Sequence, residues 1–447
     1  MISRLTLSLM LFAGAIAGLQ AQSVQDLVNA AGSGDTVRVP SGVWTGNVVL
    51  RTRIVLLGES GSTIRGGGEG SCVTVLADSC TVEGIAIERS GNALVHEDAG
   101  ILLRSDANLV RNNRLFDILF GIYLYRSDGN VIEGNTIEGR QNLDEGERGS
   151  GVHIWDSQNN RLIGNTIRHA RDGFYIQNAS HTWIESNEVS DLRYGLHYMY
   201  ADSNTFVGNR FHDNVAGAAV MYSHGIVMRR NEFMRNRGFT SYGILFQDCH
   251  GMTADSNLIV DNVVGMFFEA STMNRFRHNV IAQNDIALRM FQNAERNVFS
   301  ENAFVDNIIP LSLVGRRTDT KWSENGRGNY WSDYDGYDLD GDGVGDVPLR
   351  IQNVFDYLEG QQPAFRLYLY SPASKALSAA TKAFPILQLS AEMDDAPLMR
   401  INPWWNRVEH PVAATATSGR NSSTLAILLA APAVGTIIIV TRRRRRA

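Results

Sequence analysis

The chain has 447 residues, of which 44% are hydrophobic and 20% charged, with a formal net charge of −6. That is the composition of an ordinary folded protein, and with its basic residues dense only in the run Arg442–Arg446 it gives no basic face for a nucleic acid. Glycine is abundant at 42 residues while proline is scarce at 10, a balance that suits many turns and short strands more than linkers or collagen.

The first 22 residues read as a secretory signal. Arg4 gives a basic start, "LTLSLMLFAGAIAGL" an apolar core and Ala21 a small residue before the cut. Val24 to Ala31 follows as a capping helix, and "GDTVRVPSGVWTGNVVL" from Gly34 to Leu50 begins a run of short alternating segments. From there the chain repeats itself. "GIYLYRSDGNVIEGNTI" from Gly121 recurs as "GVHIWDSQNNRLIGNTI" from Gly151, "GFYIQNASHTWIESNEV" from Gly173 and "GLHYMYADSNTFVGNRF" from Gly195, and continues through Gly217, Gly243 and Gly265. One asparagine column marks the period, at 113, 135, 165, 187, 209, 231, 257, 279 and 302. Most steps are 22 residues; those of 30 and 26 mark insertions near Glu145 and Arg237.

A unit of this size cannot bury its own apolar face, so successive units must stack. Three short strands per coil predict an all-β fold, a right-handed parallel β-helix over 23–315, with stacked asparagines bonding from coil to coil. The columns through Ile122, Val152, Phe174 and Leu196, and through Leu124, Ile154, Ile176 and Tyr198, are apolar throughout and are expected to point inward. The alternate positions then face outward. They read Tyr123, His153, Tyr175, His197, Ala219, Leu245, Phe267 and, two residues on, Tyr125, Trp155, Gln177, Met199, Met221, Gln247, Glu269. A solvated face would carry Lys, Glu, Ser and Thr instead.

On that ribbon His197 and Met199 share a face, with Met221 one coil on from Met199. Imidazole and thioethers form a soft donor set suited to Cu(I), and the three residues are the candidate copper ligands, with packing as the competing explanation. His224 and His250, near Cys249, form a second and weaker candidate. Beyond the solenoid, the segment 316–352 is expected to cap it. There Asp338, Asp340, Asp342 and Asp346 follow the spacing of an acidic calcium loop, with Gly343 at the turn and Leu349 where a twelfth-position Glu would stand. The alternative is a solvated acidic turn. No catalytic residue is assigned. Cys72, Cys80 and Cys249 are odd in number; an oxidising compartment leaves a Cys72–Cys80 disulfide open, and none is assigned.

The segment 353–410 is expected to be partly helical, with Phe355 to Trp405 as the candidate docking element, followed by a linker over 411–423. "TLAILLAAPAVGTIIIVT" from Thr424 to Thr441 then reads as a transmembrane anchor. The arginine tail 442–447 would hold its far end in the cytoplasm, leaving the β-helix in the periplasm at the inner membrane.

The ordered set "RGGGEGS" (65–71), "DAGILL" (98–103), "LFGIYLY" (119–125), "IEGRQNLDEGERGSGVHIW" (137–155), "RDGFYI" (171–176), "DLRYGLHYMYADS" (191–203), "AAVMYS" (218–223), "GRGNYWSDYDGYDLDGDGVGDVPLR" (326–350) and "DDAPLM" (394–399) resembles the periplasmic copper-binding NosD family. These are right-handed β-helices of the carbohydrate-binding and sugar-hydrolase type. The resemblance implies a non-enzymatic role in maturing the copper-sulfur cluster of nitrous oxide reductase, with copper or sulfur as the delivered element. The partners it implies are an ABC transporter permease and ATPase, the reductase itself and a copper chaperone. Two other classes remain open. "YGLHYMYADS" faintly resembles the Tyr-Gly-Phe-Asp-Pro-His-Asp-Asp motif of alginate epimerases, which favours a sugar lyase, hydrolase or epimerase, but His197, Tyr198 and Met199 replace its reactive Asp-Pro-His. A passive surface β-helix would share the Asp-rich segment without needing the Met and His column.

Overall fold

The computed structural model describes residues 23–401, other than 240, 316–317, 353, 369–370 and 384–391. The expected signal over 1–22, linker, anchor over 424–441 and arginine tail lie outside the described residues. Among those that are described, no helix is long and apolar enough to cross a membrane.

The chain winds as a right-handed parallel β-solenoid. Its first coil contributes the strands Thr36–Val39, Gly42–Thr45 and Val48–Leu50, and each later coil adds one strand to each of three parallel sheets, which reach 12, 13 and 12 strands. Pairing is in register: Phe174 lies over Val152, Leu196 over Phe174 and Ala218 over Leu196. The two inward columns are fully buried, as their unbroken apolar character requires.

Turns this short need the left-handed region, and the residue before the laddered asparagine supplies it. Gly134, Gly164 and Gly208 sit at φ 60° to 62°, and Asn112, Ser186 and Ser256 at 55° to 58°. The glycine that opens each repeat has a different duty. A Cβ on Gly195 would stand 2.6 Å from the carbonyl oxygen of Gly217 on the next coil, so this position admits no side chain.

The asparagine column forms the expected ladder. Asn209 Nδ2 donates to Asn231 Oδ1 (2.9 Å) and to the Ile184 carbonyl (2.9 Å), while its backbone N–H also reaches Asn231 Oδ1 (3.0 Å). Two further ladders stand at the other corners: one includes Asn108, Asn130 and Asn160, and the other Asn214, Asn236, Asn262, Asn284 and Asn307. All three corners are thus held by buried amides.

Both ends of the stack are closed. Helix α1 (Val24–Ala30), started by a reciprocal Ser23 and Asp26 cap, turns Val24 and Val28 onto the first coil. Its Gln25 Oε1 accepts the Val49 N–H at 2.7 Å, satisfying an edge that would otherwise invite another strand. At the far end Trp322 stacks on Phe299 and Trp331 on Phe304. The first ladder runs on to Asn329 and stops at the buried Asp394 carboxylate, which accepts Asn329 N–H (2.8 Å) and Trp331 Nε1–H (2.9 Å). Helices α2 (Val354–Gln361) and α3 (Pro372–Ala383) follow, and buried Glu359 anchors α2 to Arg289 and Ser312 of the third sheet.

Asn209→Ala removes an acceptor and two donors from the buried ladder without changing the apolar core. Each stranded partner costs roughly 1–3 kcal/mol, so about 2–5 kcal/mol of destabilisation is expected in a denaturant melt. An exposed control, Arg210→Ala, should move the midpoint little.

Candidate functional site

The outer face of the third sheet is less open than alternation implies. Tyr123, His153, Ala219 and Phe267 are all buried, correcting the expectation of a continuous outward ribbon. Two covers account for it. Toward the N-terminal end, Leu94 and Leu143, from the segments that precede two of the third-sheet strands, pack with Phe120 and Tyr123. Toward the C-terminal end, Leu377 of α3 joins Phe267, Tyr242 and Leu245. Between the covers the strand Tyr194–Met199 alternates, with Leu196 and Tyr198 buried and Tyr194, His197 and Met199 half-buried.

The structure brings the three candidate copper ligands onto this middle stretch. Met199 and Met221 are register partners on adjacent coils, so their side chains stem from one column about 4.8 Å apart. His197 lies two residues before Met199, over Tyr175 and under Ala219. Tyr175 and Tyr194 meet its ring edge-on at 4.9 Å and 5.2 Å.

Sequence reasoning missed what holds His197. Its Nδ1 lies 3.2 Å from Oδ2 of Asp172, a fully buried carboxylate. Arg193 grips the same carboxylate with Nε (3.0 Å) and Nη2 (2.8 Å), and Arg171 Nε approaches at 3.3 Å. Burial alone would raise the Asp172 pKa, but the hydrogen bonds from His197 and Arg193 outweigh it and hold the group ionised. An ionised acceptor at Nδ1 fixes the imidazole proton there. That leaves the Nε2 lone pair for a ligand, the arrangement by which carboxylates orient metal-binding histidines. The signal was present in the repeat: the position before each glycine reads Phe120, Ser150, Asp172, Tyr194, Ala216, Tyr242 and Val264, and Asp172 is its only carboxylate.

The second histidine pair is placed differently. The His224 and His250 rings lie 5.2 Å apart and tilted, but His250 has Nδ1 on Thr272 Oγ1 (2.8 Å) and Nε2 on Asp248 (2.9 Å). Both its nitrogens are engaged. Cys249 points into the core, where its thiol meets the Val220 carbonyl and burial pushes its pKa up to about 12. The three cysteines are free and buried.

In the Asp-rich loop, one carboxylate oxygen each from Asp338, Asp340 and Asp342 lies within 4.8 Å of the others. Asp346 is not part of that group: its Oδ2 accepts the Leu339 N–H at 2.7 Å. The loop is tied to the "DDAPLM" segment, with Gly345 N–H on the Pro397 carbonyl and Met399 N–H on that of Gly343.

Residues 138–336 match the family model described as "Periplasmic copper-binding protein (NosD)", and 52–147 match "Right handed beta helix region". Over 410 residues the chain is 31% identical to the "Probable ABC transporter binding protein NosD" of Pseudomonas aeruginosa, covering 86% of this chain and 93% of that one. It is 30% identical to the protein of the same description in Stutzerimonas stutzeri, with 88% and 93% covered. The chain belongs to the NosD family.

The NosD match spans His153, Asp172, Arg193, His197, Met199 and Met221, while the Asp-rich loop lies just past its end. Among solved structures, the A-modules of the mannuronan C-5 epimerases AlgE4 and AlgE6 of Azotobacter vinelandii align with TM-scores of 0.49 and 0.48. Their identities are 13% and 14%; each alignment covers 67% of this chain, and 94% and 93% of the respective module.

His153 is the other residue of this face that sequence reasoning left unweighed. Burial and then the Arg171 charge push its pKa down to about 3, so it stays neutral in the folded chain. An unfolded histidine titrates near 6.5. Its contribution to stability is therefore full above about pH 6.5 and falls as pH drops toward 3, by up to about 1.4 kcal/mol per pH unit, because only the unfolded state accepts the proton. Thermal melts between pH 7 and 4 should show a shallower loss for His153→Phe than for the wild type.

Proposed function

We propose that this NosD-family chain is a non-enzymatic extracytoplasmic partner of an ABC transporter, which holds Cu(I) as cargo for assembly of the copper-sulfur cluster of nitrous oxide reductase. The observation that carries the reading is the Asp172–His197 contact, with Met199 and Met221 in register beside it. The carboxylate directs Nε2 away from itself, and the thioethers add soft, uncharged donors on unbranched side chains that adapt their position. A ligand set without thiolate holds a monovalent soft ion loosely enough to pass it on.

The relatives' descriptions as transporter binding proteins support the same reading and favour a non-enzymatic role. A sugar-cleaving or epimerising alternative needs a carboxylate free to move protons. Asp172, the buried carboxylate beside His197, is instead committed to Arg193, Arg171 and His197. We further propose that Asp338, Asp340 and Asp342 take calcium in a structural role, since the loop they form is bonded to the C-terminal cap.

Anaerobic Cu(I) titration against a chromophoric chelator tests the cargo site. His197→Ala, Met199→Ala and Met221→Ala combined should abolish binding at this site while circular dichroism stays unchanged. Asp172→Asn, which leaves the ligands in place, should weaken it by about 10–100-fold through loss of imidazole orientation. Unchanged affinity in both variants would remove the ligand set.

Calcium is tested by thermal melts with and without millimolar Ca²⁺. The wild type should gain several degrees, Asp340→Asn with Asp342→Asn should gain none, and Mg²⁺ should not substitute. Indifference of the wild type to Ca²⁺ would leave the loop as a solvated turn.

A further inference from the structure

His153 occupies the same outward column as His197, two coils earlier, with Tyr175 between them. Both of its ring nitrogens are buried, and neither has a hydrogen-bond partner among the described residues. Buried polar atoms left unpaired in this way cost roughly 1–3 kcal/mol each. A phenylalanine would pack the same space without that cost. The imidazole stands among aromatic rings: Tyr175 at 4.4 Å, Tyr123 at 4.6 Å and Phe120 at 5.6 Å between centroids.

We propose that His153 is a second, separate station for a soft monovalent cation of the Cu(I) class. This rests on the copper reading of the His197 site and extends it along the column. A neutral imidazole carries a lone pair ready for such an ion without first losing a proton, and it is surrounded by aromatic rings, a side-chain class that attracts a cation that has shed its water. A hard dication is excluded by the same surroundings, because it requires several oxygen ligands. The Arg171 charge that acts on the ring is partly offset by Asp172, with which Arg171 is in contact. At about 4.8 Å per coil the two imidazoles stem from positions roughly 10 Å apart, too far to share one ion. Two stations follow, with Tyr175 meeting both rings.

Cu(I) titration of the full chain with a chromophoric competitor decides the matter, using His153→Phe because it keeps the ring packing. The wild type should bind two equivalents. His153→Phe should bind one and, without metal, melt no lower than the wild type. The triple variant at His197, Met199 and Met221 should bind the other, and all four substitutions together none. If His153→Phe retains both equivalents, or if the wild type binds a single equivalent that only the triple variant loses, the second station is overturned. If the triple variant keeps full stoichiometry while His153→Phe loses an equivalent, the cargo ligands at His197 fail and the His153 station stands. Long-range ¹H–¹⁵N histidine spectra with Ag(I), a redox-silent stand-in, should move the His153 resonances in the wild type; unmoved resonances under saturating Ag(I) overturn the station as well.

Discussion

Everything in this molecule depends on coils stacking in register at the spacing of parallel strands. Each backbone group along a strand is satisfied by the coil above or below, and a slip of one residue would turn the apolar columns outward. The strands alone do not enforce that register, because several are only three residues long. The corners do. Buried asparagines such as Asn209 bond the next amide, a backbone N–H and a carbonyl of neighbouring coils, so a shift of one coil would strand polar groups at the corners. The glycine column sets the accompanying limit on approach, with no room for a side chain at Gly195.

On this scaffold the site is built by exception. The repeat tolerates insertions between the second and third sheets, where residues 140–151 and 235–241 lengthen the connection without disturbing the ladder that runs through Asn135, Asn165, Asn231 and Asn257. Because that corner borders the third sheet, added residues beside it can cover part of the outer face. Leu143 of one insertion and Leu377 of α3 close the ends and leave His197, Met199 and Met221 half-buried between them. On the copper reading, such partial cover would lower the competition from water at these side chains.

Much of the fold was legible because repetition multiplies a weak local signal. No single three-residue strand stands out, but seven aligned glycines and nine aligned asparagines define the coil, its inward columns and its direction. Alternation also placed His197 and Met199 on the outer face and Met221 beside Met199. What it did not reveal was cover. Whether Tyr123 or Phe267 meets solvent depends on loops and helices distant in sequence, and periodicity within a strand carries no information about them. Asp172 was missed for a related reason. It stands one place before the glycine, outside the columns used to sort inward from outward, and its contact with His197 spans 25 residues.

The ladders bear on how an ion would leave. A backbone bonded coil to coil at three corners has little freedom to hinge, so release cannot depend on two lobes parting as in many binding proteins. The movable parts are the methionine side chains themselves, whose unbranched thioethers change rotamer on a timescale of picoseconds to nanoseconds when exposed. A receiving protein would then need only to present competing ligands at the open middle of the face. On the proposed reading, exchange would become a contest between donor atoms on a fixed ruler, with its speed set by side chains and its selectivity by their spacing.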